Sequence, residues 1–82
     1  MTARERIIAK RILDYLHGLD GGQSHPLTIH AEIGGLNVCS SAEFDSVLGL
    51  LDAKKWIVGV ATEFKGTLWE ISDAGEGKRL KL

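Results

Sequence analysis

Four side chains in this sequence have the donor chemistry of a metal site: His17, His25, His30 and Cys39. Their spacing does not. No two stand at knuckle spacing, or at the i, i+4 spacing that puts two ligands on one helix face, and the single thiol has no partner. They read as one small buried thiol and three histidines in loops or at helix ends. Ser40 and Ser41 are adjacent hydroxyls, yet no histidine or acid is arranged around them to activate a nucleophile. The glycine pairs at 21–22 and 34–35 and the GEG at 75–77 have neither Walker nor GxGxxG spacing, so they read as turn glycines rather than phosphate cradles. A chain of 82 residues also leaves little room for an enclosed pocket. The expectation is a protein that is not an enzyme, holds no cofactor and no metal, and acts by binding.

Length and composition agree with that. The chain is 44% apolar and 26% charged, ordinary for a folded domain, and residues 1–82 suffice for one core. A core this small is marginally stable, which makes a homodimer an expected state. No apolar run is long enough to span a membrane, so no membrane partner is expected. The opening MTARERIIAKRILDYL alternates apolar and charged residues and has no signal-peptide core. A lone cysteine fits a reducing compartment, and the expected location is cytoplasmic. Net charge is −1, with both termini basic and the middle acidic, a dipolar chain rather than a basic one.

The elements that must position any binding residues follow from periodicity and caps. From Thr2 to about Gly18, Ile8, Ile12, Tyr15, Leu16 and Leu19 recur at three- and four-residue steps, and Thr2 with Glu5 forms a capping box. LTIHAEI (27–33) is open between a strand and a two-turn helix capped by Thr28, after which Leu36 and Val38 enter a turn. Ser40 to Lys55 is the clearest helix. Ser40 and Glu43 form a second capping box, Phe44, Val47, Leu48 and Leu51 make one apolar stripe, and Lys54 and Lys55 suit the negative end of the dipole. WIVGVATE (56–63) and TLWEI (67–71) read as an antiparallel hairpin turned at FKG. Trp56, Val58 and Val60 from one strand and Trp69 and Ile71 from the other are expected on the core face. Ser72 then caps a short terminal helix, with Asp73 in its first turn.

The order helix, helix, helix, hairpin, short helix resembles the winged-helix family, a helix-turn-helix followed by a β-hairpin wing. Three stretches carry the likeness: the turn GGLNVCSS, the helix-to-strand passage LLDAKKWIV, and the hairpin exit LWEISDAGEGKRL. The resemblance covers nearly the whole chain. It implies an α+β fold, a three-helix bundle with a C-terminal β-hairpin wing and a short terminal helix.

It also implies a function, a small transcriptional regulator that binds double-stranded DNA. In such proteins the third helix enters the major groove and its exposed N-terminal residues meet base edges. The matching positions are Ser40, Ser41, Ala42, Asp45, Ser46 and Gly49. Phosphate contacts would come from Lys65 at the wing tip, with Thr62 and Thr67 beside it, and from Arg4, Arg6, Lys10 and Arg11 on the first helix. The charge on the third helix points elsewhere. Glu43, Asp45 and Asp52 precede or replace any cation before Lys54, and carboxylates oppose the phosphate field. That pattern supports an alternative, a protein-interaction module that presents the acidic helix to a basic partner and binds no DNA. Trp56 and Trp69 are expected in the core, one of them partly exposed. Leu50 falls off its helix's stripe, and with Ile7 it would mark a contact surface if both are exposed.

Overall fold

Both expected capping boxes form. In the computed structural model, which describes residues 1–82, Thr2 Oγ1 accepts from the Glu5 N–H at 3.1 Å and Glu5 Oε1 accepts from the Thr2 N–H at 2.8 Å. They open helix α1, Ala3–Gly18, which buries Ile8, Ala9, Ile12, Leu13 and Leu16. Ser40 and Glu43 repeat the arrangement at α3, Ser41–Ala53, whose Phe44, Val47, Leu48 and Leu51 complete the stripe read from the sequence.

The ambiguous segment is helical: α2 spans Pro26–Glu32. Its cap is His25 rather than Thr28, because Pro26 occupies the first helical position, where its missing N–H is harmless. His25 Nδ1 accepts from the Leu27 N–H at 3.2 Å. A single 3-10 turn, Gly35–Asn37, follows and leads into α3. His30 lies in the last turn of α2, a helix-end position as expected, but it is not a surface residue. It lies buried in α2, stacked on Phe44 with ring centroids 4.6 Å apart, and its Nε2–H donates to the Cys39 carbonyl at 2.9 Å. Cys39 is buried beside it, and burial pushes its thiol pKa up.

The hairpin pairs β1, Ile57–Thr62, with β2, Gly66–Ile71, in an unbroken antiparallel register from Ile57↔Ile71 to Thr62↔Gly66. Its phase differs from the expectation by one residue. Ile57, not Val58, enters the core, at 2% exposure, while Val58 is 43% exposed, Val60 is half-buried, and Trp56, half-buried, packs against the edge of the core. The cause is the end of α3. Lys55 adopts a left-handed conformation (φ 61°), and the Trp56 and Lys55 N–H groups donate back to the Leu51 and Asp52 carbonyls, a Schellman end. Trp56 is thereby spent on the helix cap, and the strand begins one residue later. Trp69 and Ile71 do pack against the core, opposite Gly59 and Ile57. Trp69 also exchanges two 2.9 Å backbone bonds with Ser24, which adds a one-residue rung beyond β2 that the sequence did not announce.

Helix α4, Asp73–Arg79, starts from Ser72, whose hydroxyl accepts from the Gly75 N–H at 3.0 Å and donates to the Lys55 carbonyl at 2.7 Å. A charged chain pins α4 to α1. Arg79 donates to Asp14 Oδ1 at 3.2 Å and to His17 Nε2 at 3.1 Å, and His17 Nδ1–H donates to Glu76 Oε2 at 2.7 Å. The whole is an α+β fold of four helices and one antiparallel hairpin, with a single core at the meeting of α1, α2, α3 and β1. No helix is long and apolar enough to cross a membrane.

Candidate nucleic-acid interface

The front of α3 is built as a shallow, uncrowded surface. Ser41, Ala42, Asp45, Ser46 and Gly49 are all exposed, and their spacing places them along one side of the helix. Every one is small, so a partner could approach the helix backbone closely. Ser40 is exposed too, although its hydroxyl is occupied by the cap.

Glu43 does not project from this surface as a free carboxylate. Arg4 reaches across from α1 and grips it with two bonds, one from Nε to Oε2 and one from Nη2 to Oε1 at 2.9 Å. The same guanidinium donates to the Val38 carbonyl at 3.2 Å, tying α1 to the loop that enters α3. The Arg4 bonds, aided by the Ser40 N–H, hold the Glu43 carboxyl well below the usual range, at about 2. Arg4 is therefore an internal clip, and its charge is answered within the chain.

That pair makes a testable pH statement. A carboxylate depressed in the folded state contributes stability that is complete above its ordinary value near 4.5 and is lost as pH falls toward about 2. In a carboxyl NMR titration, Glu43 is expected to titrate at about 2, and Arg4→Gln is expected to return it toward 4.5. An unmoved Glu43 in that variant would show that the cap bonds, not Arg4, hold the value down.

Arg6 has a different setting. It lines a depression with Lys54, Lys78, Lys81 and Trp56, drawn from α1, the end of α3, α4 and the segment after α4. No acidic residue lines this depression, and none of its four cationic side chains takes part in an ion pair. Lys54 and Lys78 place their ammonium groups 5.4 and 5.5 Å from the Trp56 ring centroid, within cation–π reach. A second depression continues from it along α1 through Arg6, Ile7, Lys10 and Arg11. There Lys10 is paired with Asp14 at 3.0 Å and Arg11 donates to the Ile33 carbonyl at 3.5 Å, whereas the cations around Trp56 are unpaired.

The remaining expected contacts lie on the hairpin. Lys65 is exposed at its tip, where its N–H donates to Thr62 Oγ1 at 3.0 Å, and Thr67 is exposed on β2. Beside Lys65 stands Phe64, 90% exposed. The structure thus brings Arg4 and Ser46 to one depression and Arg6 to another, and leaves Lys65 and Thr67 on the hairpin. Ile7 is exposed but Leu50 is half-buried, so the pair does not form the contact surface their joint exposure would have marked.

Sequence reasoning did not bring Lys54, Lys78, Lys81 and Trp56 together. The signals were Lys54 at the end of α3 and the basic tail EGKRLKL, in which nothing separates Arg79, folded inward onto Asp14, from the two lysines that stay free. Comparison with protein-family models, curated proteins and solved structures finds no match for this chain.

Proposed function

We propose that this is a small winged-helix protein that binds double-stranded DNA and serves as a transcriptional regulator, with phosphates held at the basic depression around Trp56. The carrying observation is that depression: Arg6, Lys54, Lys78 and Lys81 converge from separate parts of the chain with no aspartate or glutamate among them. Convergent unpaired cations are what a phosphate backbone needs, and their attraction is largely independent of sequence. Arg4 then belongs to the scaffold, and the phosphate-binding set is Arg6 with the three lysines.

Four further features support the reading. The helix order and the hairpin match the winged-helix arrangement, and the Ser24 rung braces the wing's inner strand. The small residues on α3 leave room for a helix to sit in a groove, where Ser41 and Ser46 can meet phosphates or bases and Asp45 can accept from cytosine N4. Lys65 and Phe64 equip the wing tip with a charge and an exposed apolar ring. Pairing Glu43 with Arg4 also lowers the negative charge that α3 would bring to the duplex.

A second reading keeps one specific observation. Asp45 and Asp52 are exposed and take part in no ion pair, which suits a basic protein partner docking on α3. Fluorescence anisotropy with random-sequence duplex DNA at two salt concentrations separates the two. Salt-sensitive binding that depends on the Trp56 cations supports the DNA reading. No binding at low salt would overturn it and leave the acidic surface of α3 as the place to look for a partner.

A further inference from the structure

The free cations of this chain are not spread evenly. Of its ten lysines and arginines, Arg4, Lys10 and Arg79 are held in ion pairs. Four of the others, Arg6, Lys54, Lys78 and Lys81, line the one depression around Trp56. All four are exposed, so each charge is within reach of a ligand from solvent.

Helix dipoles explain only part of this gathering. Lys54 caps the end of α3 and Lys78 lies in the last turn of α4, where a cation offsets the negative end of the dipole. Each helix end is equivalent to roughly half an elementary charge, so the two ends answer about one of the four cations. Arg6 comes from the start of α1, the positive end of its helix, where a cation offsets nothing. Most of the positive charge is therefore left for something outside the chain.

The shape of the site favours a compact ligand. The depression has a volume of about 270 Å³, with Met1 and Leu82 as apolar parts of its wall. Lys54 and Lys78 bring their ammonium groups to 5.4 and 5.5 Å from the centroid of one ring, that of Trp56. A duplex strings single charges along a rod, so only a short stretch of its backbone can enter a hollow of this size. A polyphosphate places a charge on each of several consecutive phosphates in the same space. Arg6 can offer one of them two parallel N–H groups, and the lysines act as point charges around the rest.

We propose that the depression around Trp56 is a binding site for a compact polyphosphate, free or as the tail of a nucleotide, whose occupancy excludes duplex DNA. The site stands on the free cations alone. The exclusion rests on the reading of the same depression as the DNA phosphate site.

Isothermal titration calorimetry of the full chain tests the site in magnesium-free buffer at about 0.1 M sodium chloride, where long-range attraction is screened. Sodium tripolyphosphate and ATP are expected to bind saturably, and AMP about tenfold more weakly or less. Lys78→Gln should weaken tripolyphosphate about threefold or more, and K54Q/K78Q about tenfold or more. Lys65→Gln, which removes the same charge at the hairpin tip, should leave it unchanged. Circular dichroism checks that each variant folds. Equal affinity for tripolyphosphate and ATP assigns the site to the phosphate chain itself, whereas ATP tighter by about tenfold assigns it to a nucleotide. No saturable binding of either, AMP bound as tightly as ATP, or K54Q/K78Q binding like wild type overturns the proposal.

Fluorescence anisotropy reads the exclusion. Tripolyphosphate should release labelled duplex DNA over the range set by its own dissociation constant, with ionic strength held constant by sodium chloride. DNA that stays bound at saturating tripolyphosphate overturns the exclusion. A chain that binds tripolyphosphate but no DNA removes the DNA reading and the exclusion with it, and leaves the polyphosphate site standing. A chain that binds DNA but no tripolyphosphate does the reverse.

Discussion

Neutralising the cations around Trp56 in the variant R6Q/K54Q/K78Q/K81Q is expected to lower affinity for duplex DNA by about 100-fold or more at low salt, with a salt dependence shallower by about 3 to 4 in the log–log slope. The expectation follows from counterion release, in which each phosphate contact contributes close to one unit of slope. All four side chains are free of ion pairs, so each can meet a phosphate without first leaving a carboxylate. Lys65→Gln, at the hairpin tip, should change the slope by about one unit at most. Arg4→Gln should act mainly through the protein itself, because Arg4 is engaged by Glu43 and the Val38 carbonyl. If Arg4 and Lys65 dominated and the four-residue variant bound like wild type, the assignment of the phosphate site to Trp56 would fail. If wild type bound no DNA at low salt, the whole DNA reading would fail with it.

The second large effect concerns the scaffold of that site. Gly75→Ala is expected to destabilise the protein by about 3 kcal/mol, because overpacking against immovable atoms forces the backbone to shift. A Cβ at position 75 would stand 2.0 Å from the Trp56 carbonyl oxygen and 2.8 Å from Ile71 Cγ1. The oxygen cannot step aside, since it accepts from the Ser72 N–H at 3.1 Å in the same hairpin-to-helix junction. Helix α4 must move instead, loosening the Ser72 cap and the bonds from Arg79 to Asp14 and His17. For a domain of this size the melting midpoint should fall by roughly 12–24 °C. Gly77→Ala is the matched control, two residues along the same helix with open space at its Cβ. It should raise stability by about 0.5–1 kcal/mol through helix propensity and a less flexible unfolded chain. Thermal unfolding by circular dichroism reads both, and equal effects would show that the close approach to Trp56 does not control the docking of α4. Displacing α4 also carries Lys78 away from Trp56, so Gly75→Ala should weaken DNA binding as well.

Local signals in the sequence were legible where local chemistry decides the outcome. Thr2 with Glu5, Ser40 with Glu43, and Ser72 before Asp73 each satisfy orphan N–H groups within one turn, and all three mark real helix starts. The stripe of α3 and the hairpin with its glycine at position 66 are likewise set by short-range periodicity and turn geometry. The phase of β1 was not legible, because it depends on Lys55 taking a left-handed conformation that glycine normally supplies. With a lysine there, nothing in the sequence signals that the helix cap consumes Trp56. The burial of His30, in the last turn of α2, was not legible for a related reason. Its burial needs Phe44 to stack on it and the Cys39 carbonyl to accept its proton, and these come from other segments.

What the sequence determined by itself is α1, α3, the hairpin and α4 in their order, with one apolar face on each long helix, while the segment that becomes α2 was left open between strand and helix. Those follow from caps, turn residues and hydrophobic period, which act over a few residues. Tertiary structure alone decided which charges remain free. Arg4 and Arg6 are two residues apart and chemically alike, yet folding pairs one with Glu43 and leaves the other beside Lys54, Lys78 and Lys81. Arg79 and Lys78 are adjacent, and folding turns one inward to Asp14 and the other outward to Trp56. Charge acts through space with a reach of several ångströms, so its partners are set by which segments the core brings together and not by distance along the chain.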